Sequence, residues 1–256
     1  MSHKRNILYL WFFLLLICFF SIFTLGCENK KQKAKEHYQR GLAYYEQENK
    51  REAFQEFEKA IALDPDLADA HFKLGVMYHG GSSYDKSIES FKKVLSLDPN
   101  YPRIFVGLGN VYYEYGLKKW VAAIKVSLKY MFQDTLSAPV YKSEEEYQKG
   151  IEEANTALAQ NPEDGDALSK LSFIYYSLAQ DNYLKALEQD PADPMVHYGL
   201  GLVYSEKGYE QKALAEAEIL KKLDPELSDV LTTEVEKKRQ EKESFKTRIE
   251  EAKTKP

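Results

Sequence analysis

The sequence predicts an all-α protein, a right-handed stack of helical hairpins with an irregular central segment. The first observation is that proline follows the end of a predicted helix five times, at intervals of 34, 63, 29 and 34 positions. Proline ends a helix because it has no N–H group and disfavours helical backbone in the residue before it. The second observation is that glycine and tyrosine recur in phase with these prolines, which indicates that one structural unit is repeated. The prolines are Pro65, Pro99, Pro162, Pro191 and Pro225.

The repeating unit is clearest when Ala34, Ala68, Pro102 and Pro194 are each counted as position 1. Position 8 is then glycine and position 11 is tyrosine in all four units. A glycine inside a helix costs about 1 kcal/mol relative to alanine, so its recurrence indicates a close approach by a second helix. Phe57 and Phe91 stand at position 24 of the first two units, where they can fill the space beside the glycine. The residues in phase are Gly41, Gly75, Gly109 and Gly201, and Tyr44, Tyr78, Tyr112 and Tyr204.

This pattern resembles the tetratricopeptide (TPR) repeat, a helical hairpin with a period of about 34 residues. The resemblance implies hairpins that bury their apolar faces only against their neighbours. It predicts a TPR domain over residues 34–227, and residues 228–256 as a capping helix and charged tail. Within that domain we expect repeats at 34–67, 68–101, 102–135 and 194–227, an irregular segment at 136–164 and a short unit at 165–193.

The centre of the chain departs from the pattern, so we expect a break or kink there. In the third unit the residues predict one helix over 102–116 and a second over 117–132, with a loop over 133–142. Ser143 opens a further helix through a capping-box pattern, and Ser228 is predicted to cap the last helix.

The N-terminal segment, from Met1 to Cys27, is predicted to be a targeting segment. Lys4 and Arg5 precede an apolar run that ends in Gly26-Cys27, and this arrangement resembles the lipobox of bacterial lipoproteins. The resemblance implies that residues 1–26 are a signal peptide, that Cys27 carries the lipid (palmitate) and that residues 27–33 form a short linker. The alternative is an uncleaved signal anchor, because the apolar run is just long enough to span a bilayer. Both interpretations place the body outside the cytoplasm, bound to a membrane of the bacterial cell envelope.

Composition excludes several classes of function. With 35 basic and 40 acidic residues the formal charge is −5, which argues against a nucleic-acid binder held by bulk charge. The two cysteines, Cys18 and Cys27, both precede the predicted body, which therefore contains no thiol for a disulfide or a zinc site. His37, His71 and His197 all stand at position 4 of a unit and are interpreted as repeat residues. We expect no catalytic, cofactor-binding or metal-binding residues, and no enzyme.

The residues that remain for function form a predicted partner-binding groove. Positions 2, 5, 9 and 12 of each first helix lie on a stripe separate from the glycines, and most of them are apolar or aromatic where a helix facing water is polar. The alternative is that this stripe partly packs against the preceding unit. The TPR resemblance implies that Asn110 and Arg103 grip a partner backbone and carboxylate. The predicted groove residues are Tyr38, Leu42, Tyr45, Phe72, Val76, His79, Arg103, Asn110, Tyr113, Phe173, Tyr176 and Tyr198.

The sequence therefore favours a membrane-anchored scaffold that binds an extended peptide or helix of an envelope protein and supports assembly of a complex. This architecture is similar to that of the pilotin lipoproteins of type IV pili and of the TPR lipoprotein of the outer-membrane barrel-assembly machine. The alternative is an accessory factor or enzyme of peptidoglycan or polysaccharide processing. The sequence does not determine whether the central segment 117–146 fills the groove.

Overall fold

A computed structural model describes residues 29–126, 141 and 143–254. The described residues form helices joined by turns and short loops, with no strand among them, so the predicted fold class is confirmed. The chain divides into two compact units, Met1–Tyr101 and Pro102–Pro256, here called the N-terminal and the C-terminal unit. The helices are α1 (residues 29–46), α2 (Lys50–Leu63), α3 (Ala68–Gly80), α4 (Tyr84–Leu97), α5 (Ile104–Val126), α6 (Glu144–Gln160), α7 (Gly165–Gln189), α8 (Pro194–Glu206), α9 (Glu210–Leu223) and α10 (Pro225–Thr254).

Two hairpins make up the described part of the N-terminal unit, α1 with α2 and α3 with α4. A Cβ atom built on Gly41 would lie 2.6 Å from Cε1 of Phe57, and one on Gly75 would lie 2.5 Å from Cε1 of Phe91. Both phenylalanines are fully buried. Only glycine permits this approach, because any side chain at position 8 would overlap the ring of position 24.

The turn inside each regular hairpin contains a residue with left-handed backbone. This residue is Glu48 (φ 61°), Ser82 (φ 54°) or Gly208 (φ 76°), and it stands at position 15 of its repeat. The chain reverses there because left-handed backbone cannot continue a right-handed helix. The end of the second helix is equally regular, since the aspartates before Pro65 and Pro99 adopt extended backbone and stop α2 and α4.

The C-terminal unit corrects the prediction for the third repeat. Where two helices were expected over 102–116 and 117–132, α5 runs without interruption from Ile104 to Val126. Gly116 stands at position 15, yet it stays helical, and a Cβ on it would lie 2.8 Å from Cδ1 of Tyr176 in α7. This glycine therefore serves a close contact between two helices instead of a turn. Residues 127–132 of the predicted second helix and most of the predicted loop lie outside the described residues.

The short unit predicted over 165–193 is likewise one helix, α7, of 25 residues. Its middle, residues 176–179, is buried and offers no glycine or asparagine at which the chain could reverse. The second half of α7 packs against the first half of α5, where the Tyr183 ring lies 2.6 Å from a Cβ built on Gly109. In the two hairpins of the N-terminal unit the glycine and its ring belong to consecutive helices, whereas α6 lies between Gly109 and Tyr183 in the chain. The repeat begun by α5 is thus completed by α7, and the residues between them are an insertion.

The remaining helices are α6, a further hairpin made of α8 and α9, and α10, where one prediction is corrected. The helices α8 and α9 form a hairpin. Leu231 of α10 fills the space that the missing side chain of Gly201 leaves. Ser143 caps α6 as predicted, because its Oγ accepts a hydrogen bond from the Glu146 N–H at 3.2 Å. Ser228 does not cap α10, which begins at Pro225. Its hydroxyl instead donates to the Ala217 carbonyl at 2.8 Å.

Candidate functional site

The predicted groove residues of the N-terminal unit sit at the edge of its core. Tyr38 and Leu42 pack against the cluster of Phe57 and Leu74, yet both stay half-buried. Tyr45, one helical turn farther along α1, is 36% exposed. These side chains therefore give one face of α1 an apolar surface that the described part of the unit covers only in part.

The corresponding face of α3 carries a carboxylate among aromatic rings. The Tyr101 hydroxyl donates to Asp69 Oδ1 at 2.6 Å, and the Tyr101 ring lies 5.1 Å from the ring of Phe72. Burial, and then the charge of Asp69, raises the pKa of Tyr38 in α1. Burial and the hydrogen bond to Asp69 raise the pKa of Tyr101 as well. We call Tyr38, Asp69, Phe72 and Tyr101 the Asp69 corner.

Val76 and His79 continue this face of α3 towards its C-terminal end. Both are half-buried, and the His79 ring lies 6.3 Å from that of Tyr84. Tyr101 was missed by the sequence analysis, because it stands in the loop after α4. The preceding repeat has Leu67 at the same position, so only a comparison of position 34 between repeats marks Tyr101 as unusual.

In the C-terminal unit the two predicted gripping residues already have partners within the chain. The Arg103 guanidinium lies 3.7 Å from a carboxylate oxygen of Asp193, before α8. The Tyr183 hydroxyl donates to Asn110 Oδ1 at 2.7 Å. This bond occupies the amide oxygen of Asn110, whose side chain is exposed and keeps its NH₂ group as a donor. Both predicted gripping residues therefore make contacts within the C-terminal unit itself.

Tyr176 is a correction to the predicted set. It is 2% exposed, because the notch at Gly116 brings α5 directly against its ring. Its neighbour Tyr113 is half-buried, with the two ring centres 5.9 Å apart, and burial raises the pKa of both phenols. Tyr176 is thus a core residue of the C-terminal unit, and it cannot line an open surface.

The last helix, α10, contacts both α8 and α5. Lys238 of α10 pairs with Glu206 at the end of α8, and its ammonium group lies 5.7 Å from the centre of the Trp120 ring in α5. The predicted capping helix therefore also contacts the far end of α5. Tyr198 of α8 stays half-buried, and burial followed by the charge of Glu234 raises its pKa.

Phe173 lies beside a buried lysine that the sequence analysis did not single out. Lys207 is only 6% exposed, its ammonium group lies 5.0 Å from the centre of the Phe173 ring, and it donates to Ser177 Oγ at 3.1 Å and Gln180 Oε1 at 2.9 Å. Burial lowers the pKa of Lys207 to about 8. A lysine just before a hairpin turn carries no sequence sign of burial, so only the packing reveals it.

The position-4 histidines have roles within the repeat. Nδ1 of His37 and Nδ1 of His197 each lie 2.7 Å from a glutamate of the second helix, Glu56 and Glu216 respectively. His71 donates from Nε2 to the Pro65 carbonyl at 2.8 Å. These contacts join the two helices of a hairpin or tie it to the preceding loop. Among the residues described, no group of three or more His, Cys, Asp or Glu side chains is arranged to hold a metal ion.

The predicted leader and its Cys27 lie outside the described residues. Among the helices that are described, none is both long enough and apolar enough to cross a bilayer.

The chain is similar to several solved helical-repeat proteins. One is PilF of Pseudomonas aeruginosa, with 19% identity over 88% of this chain and 93% of that one and a TM-score of 0.36. A thermophilic TPR protein of Thermus thermophilus has 16% identity over 80% and 98% of the two chains, with a TM-score of 0.39. PilW, described as a type IV pilus biogenesis factor, has 16% identity over 84% and 91%, also with a TM-score of 0.39. No curated protein sequence matches the chain.

A family model described as "TPR repeat" matches three segments, residues 41–81, 77–116 and 176–208. The third segment starts in the middle of α7 and includes its second half, the half that completes the repeat begun by α5. Segments that match the TPR repeat are thus present in both units of the chain.

Proposed function

We propose that this protein is a membrane-anchored TPR scaffold that binds a partner protein in the bacterial cell envelope and supports assembly of a complex. The observation that carries the proposal is the row of half-buried apolar and aromatic side chains on α1 and α3. Leu42 packs against the core of the N-terminal unit, and both Leu42 and Val76 stay half-buried in the described chain. Tyrosine and phenylalanine at the same edge supply large contact areas at a small cost in side-chain entropy.

The binding surface is tested by placing a charge at a half-buried position on it. Leu42→Lys places an ammonium group on the apolar face of α1, while the matched control Ala43→Lys changes an exposed neighbouring residue. We expect cross-linking in envelopes to yield a partner protein with the wild type and the control, and markedly less of it with Leu42→Lys. Circular dichroism should show that both variants are folded. An unchanged set of partners with folded Leu42→Lys would place the binding surface elsewhere.

The anchor is proposed from the sequence, in which Cys27 follows the apolar leader. Diacyl or triacyl modification would hold the body at a membrane, since two or more chains anchor stably where one is marginal. Mass spectrometry of the N-terminal peptide should show an acylated Cys27, and Cys27→Ser should release the protein from membranes. A peptide that retains Met1 would instead support the uncleaved signal anchor.

The proposed role is binding rather than catalysis. The position-4 histidines support this, because His37 and His197 are engaged with glutamates of their own hairpins. Clearing of cell-wall material in a zymogram by the full chain would contradict the proposal and favour the peptidoglycan-processing alternative.

A further inference from the structure

The Asp69 corner combines a carboxylate with aromatic rings on the face proposed to bind a partner. Asp69 is exposed at the start of α3, and its Oδ1 accepts the hydroxyl of Tyr101. No lysine, arginine or histidine of the described chain pairs with this carboxylate. Asp66, three residues earlier, differs in this respect, because Lys93 approaches it at 3.4 Å.

The rings around Asp69 are held in place by the core. Tyr38 packs against Phe57 with ring centres 5.7 Å apart, and Phe72 packs against Phe91 at 5.5 Å. Tyr101 is fixed from two sides, by the ring of Phe72 and by its hydrogen bond to Asp69. The corner is therefore ordered before a ligand arrives, which reduces the entropy lost on binding.

The charge of the corner selects the sign of its ligand. Besides burial, the charges of Asp69 and Asp98 both raise the pKa of Tyr101, so two carboxylates act on this ring. Aromatic faces attract cations through the ring quadrupole, and an unpaired carboxylate attracts them directly. An anion would meet repulsion from Asp69 and from the negative ring faces, and a purely apolar side chain would leave the carboxylate without a partner.

We propose that the Asp69 corner binds a lysine or arginine side chain of the partner protein. This inference rests on the proposed function, because it concerns the ligand of the same surface. Asp69 forms the ion pair with the ligand cation, and the rings of Tyr38, Phe72 and Tyr101 contact its alkyl stem and charged head. The segment bound by the N-terminal unit thus carries a positive residue at the point that faces the start of α3.

The test uses small probes in which only the charge differs. N-acetyl-arginine methylamide and N-acetyl-lysine methylamide supply the cations, and N-acetyl-citrulline methylamide is the neutral counterpart of the arginine probe. Each is titrated into the full chain carrying ¹³C-labelled tyrosine and phenylalanine rings, and resonances are assigned with Tyr101→Phe and Phe72→Leu variants. We expect saturable shifts of the Phe72 and Tyr101 rings with both cations, and citrulline binding about tenfold weaker.

The matched variants are Asp69→Asn and Asp66→Asn, which remove one carboxylate each at exposed sites three residues apart. Asp69→Asn should weaken binding of the arginine probe about tenfold, and Asp66→Asn should leave it within about twofold. Equal binding of arginine and citrulline, equal binding by wild type and Asp69→Asn, or no saturable shift up to about 100 mM would each overturn the inference.

Failure of this inference is distinguishable from failure of the proposed function. If Leu42→Lys loses the cross-linked partner while Asp69→Asn fails to weaken the arginine probe, the surface binds a protein without a cation at Asp69, and only the inference falls. If the arginine probe binds as expected and Leu42→Lys leaves the partners unchanged, the corner binds cations and the proposed scaffold surface falls.

Discussion

Replacing Gly109 by alanine tests the completion of the third repeat by a distant helix. The new Cβ would lie 2.6 Å from Cε1 and 2.7 Å from Cδ1 of the Tyr183 ring. That ring is 1% exposed, also touches Gly199 in α8 and donates its hydroxyl to Asn110. Because it is held on three sides, it cannot move aside without cost.

The expected magnitude follows from two opposing effects. Overpacking a rigid core costs about 1–3 kcal/mol. Alanine in place of glycine inside a helix returns about 1 kcal/mol. Gly109→Ala should therefore lower the free energy of unfolding by about 1 kcal/mol, the difference between the two effects. Gly80→Ala is the matched control, since nothing lies within 4 Å of a Cβ on Gly80 and only the helix gain remains.

The assay is urea denaturation of the full chain followed by circular dichroism. A Trp11→Phe background leaves Trp120 as the only tryptophan, so its fluorescence reports on α5 in the C-terminal unit. A double-mutant cycle is completed by introducing Gly109→Ala into the Tyr183→Ala variant. The ring is absent from that variant, so alanine at position 109 should raise the free energy of unfolding. We expect the two substitutions to couple by about 2 kcal/mol.

Two results would refute the reasoning. One is a Gly109→Ala variant that gains as much stability as Gly80→Ala, which would mean that no ring occupies the notch. The other is the same loss of stability in the presence and absence of the Tyr183 ring. In either case α7 would not complete the repeat begun by α5, and the insertion would be located elsewhere.

Three further predictions concern individual side chains. Burial opposes ionisation of Glu56, but hydrogen bonds from Lys59, His37 and Arg40 lower its pKa to about 2. The ionised form therefore stabilises the fold, and this contribution is lost as the pH falls from 4.5 to 2. Over that range the free energy of unfolding of the wild type, measured by urea denaturation, should fall by about 1–2 kcal/mol relative to that of Glu56→Gln. Burial lowers the pKa of Lys207 to about 8, so above that pH the unfolded chain binds more protons than the folded one. Between pH 8 and pH 9.5 the wild type should therefore gain stability relative to Lys207→Met. Parallel pH profiles of the melting temperature for the two proteins would contradict this prediction. Ser143→Ala removes the cap of α6 and should cost about 1 kcal/mol in urea denaturation, with Ser244→Ala, an exposed position inside α10, as the neutral control.

The regular hairpins could be predicted because their determinants are local. The aspartate-proline pairs at Pro65 and Pro99 end helices through the backbone of adjacent residues, so the sequence is sufficient to place them. Gly41 and Gly75 were predicted to mark close contacts, and the rings of position 24 lie beside them as the repeat spacing implies. In these repeats the partner of each glycine lies within one turn and one helix of it.

The central repeat could not be predicted because its partners are far apart in the chain. Gly116 stands at the repeat position of a turn residue. Its neighbours in the sequence do not show that it instead contacts Tyr176 in α7, a helix that follows α6 in the chain. The same packing buries Tyr176, a predicted surface residue, and directs the Tyr183 hydroxyl to Asn110. The Asp69 corner likewise depends on Tyr101, which only the turn after α4 brings against Phe72.

By itself the sequence determined the helical class, the period of the repeat and the residue types where the two helices of a hairpin meet. These features depend on backbone preferences and on spacing along one helix. The tertiary structure decided which helix completes the repeat begun at Pro102, which predicted surface residues are buried, and which carboxylate stands among aromatic rings. Those outcomes depend on contacts between segments distant in sequence, whose free energy no local pattern records.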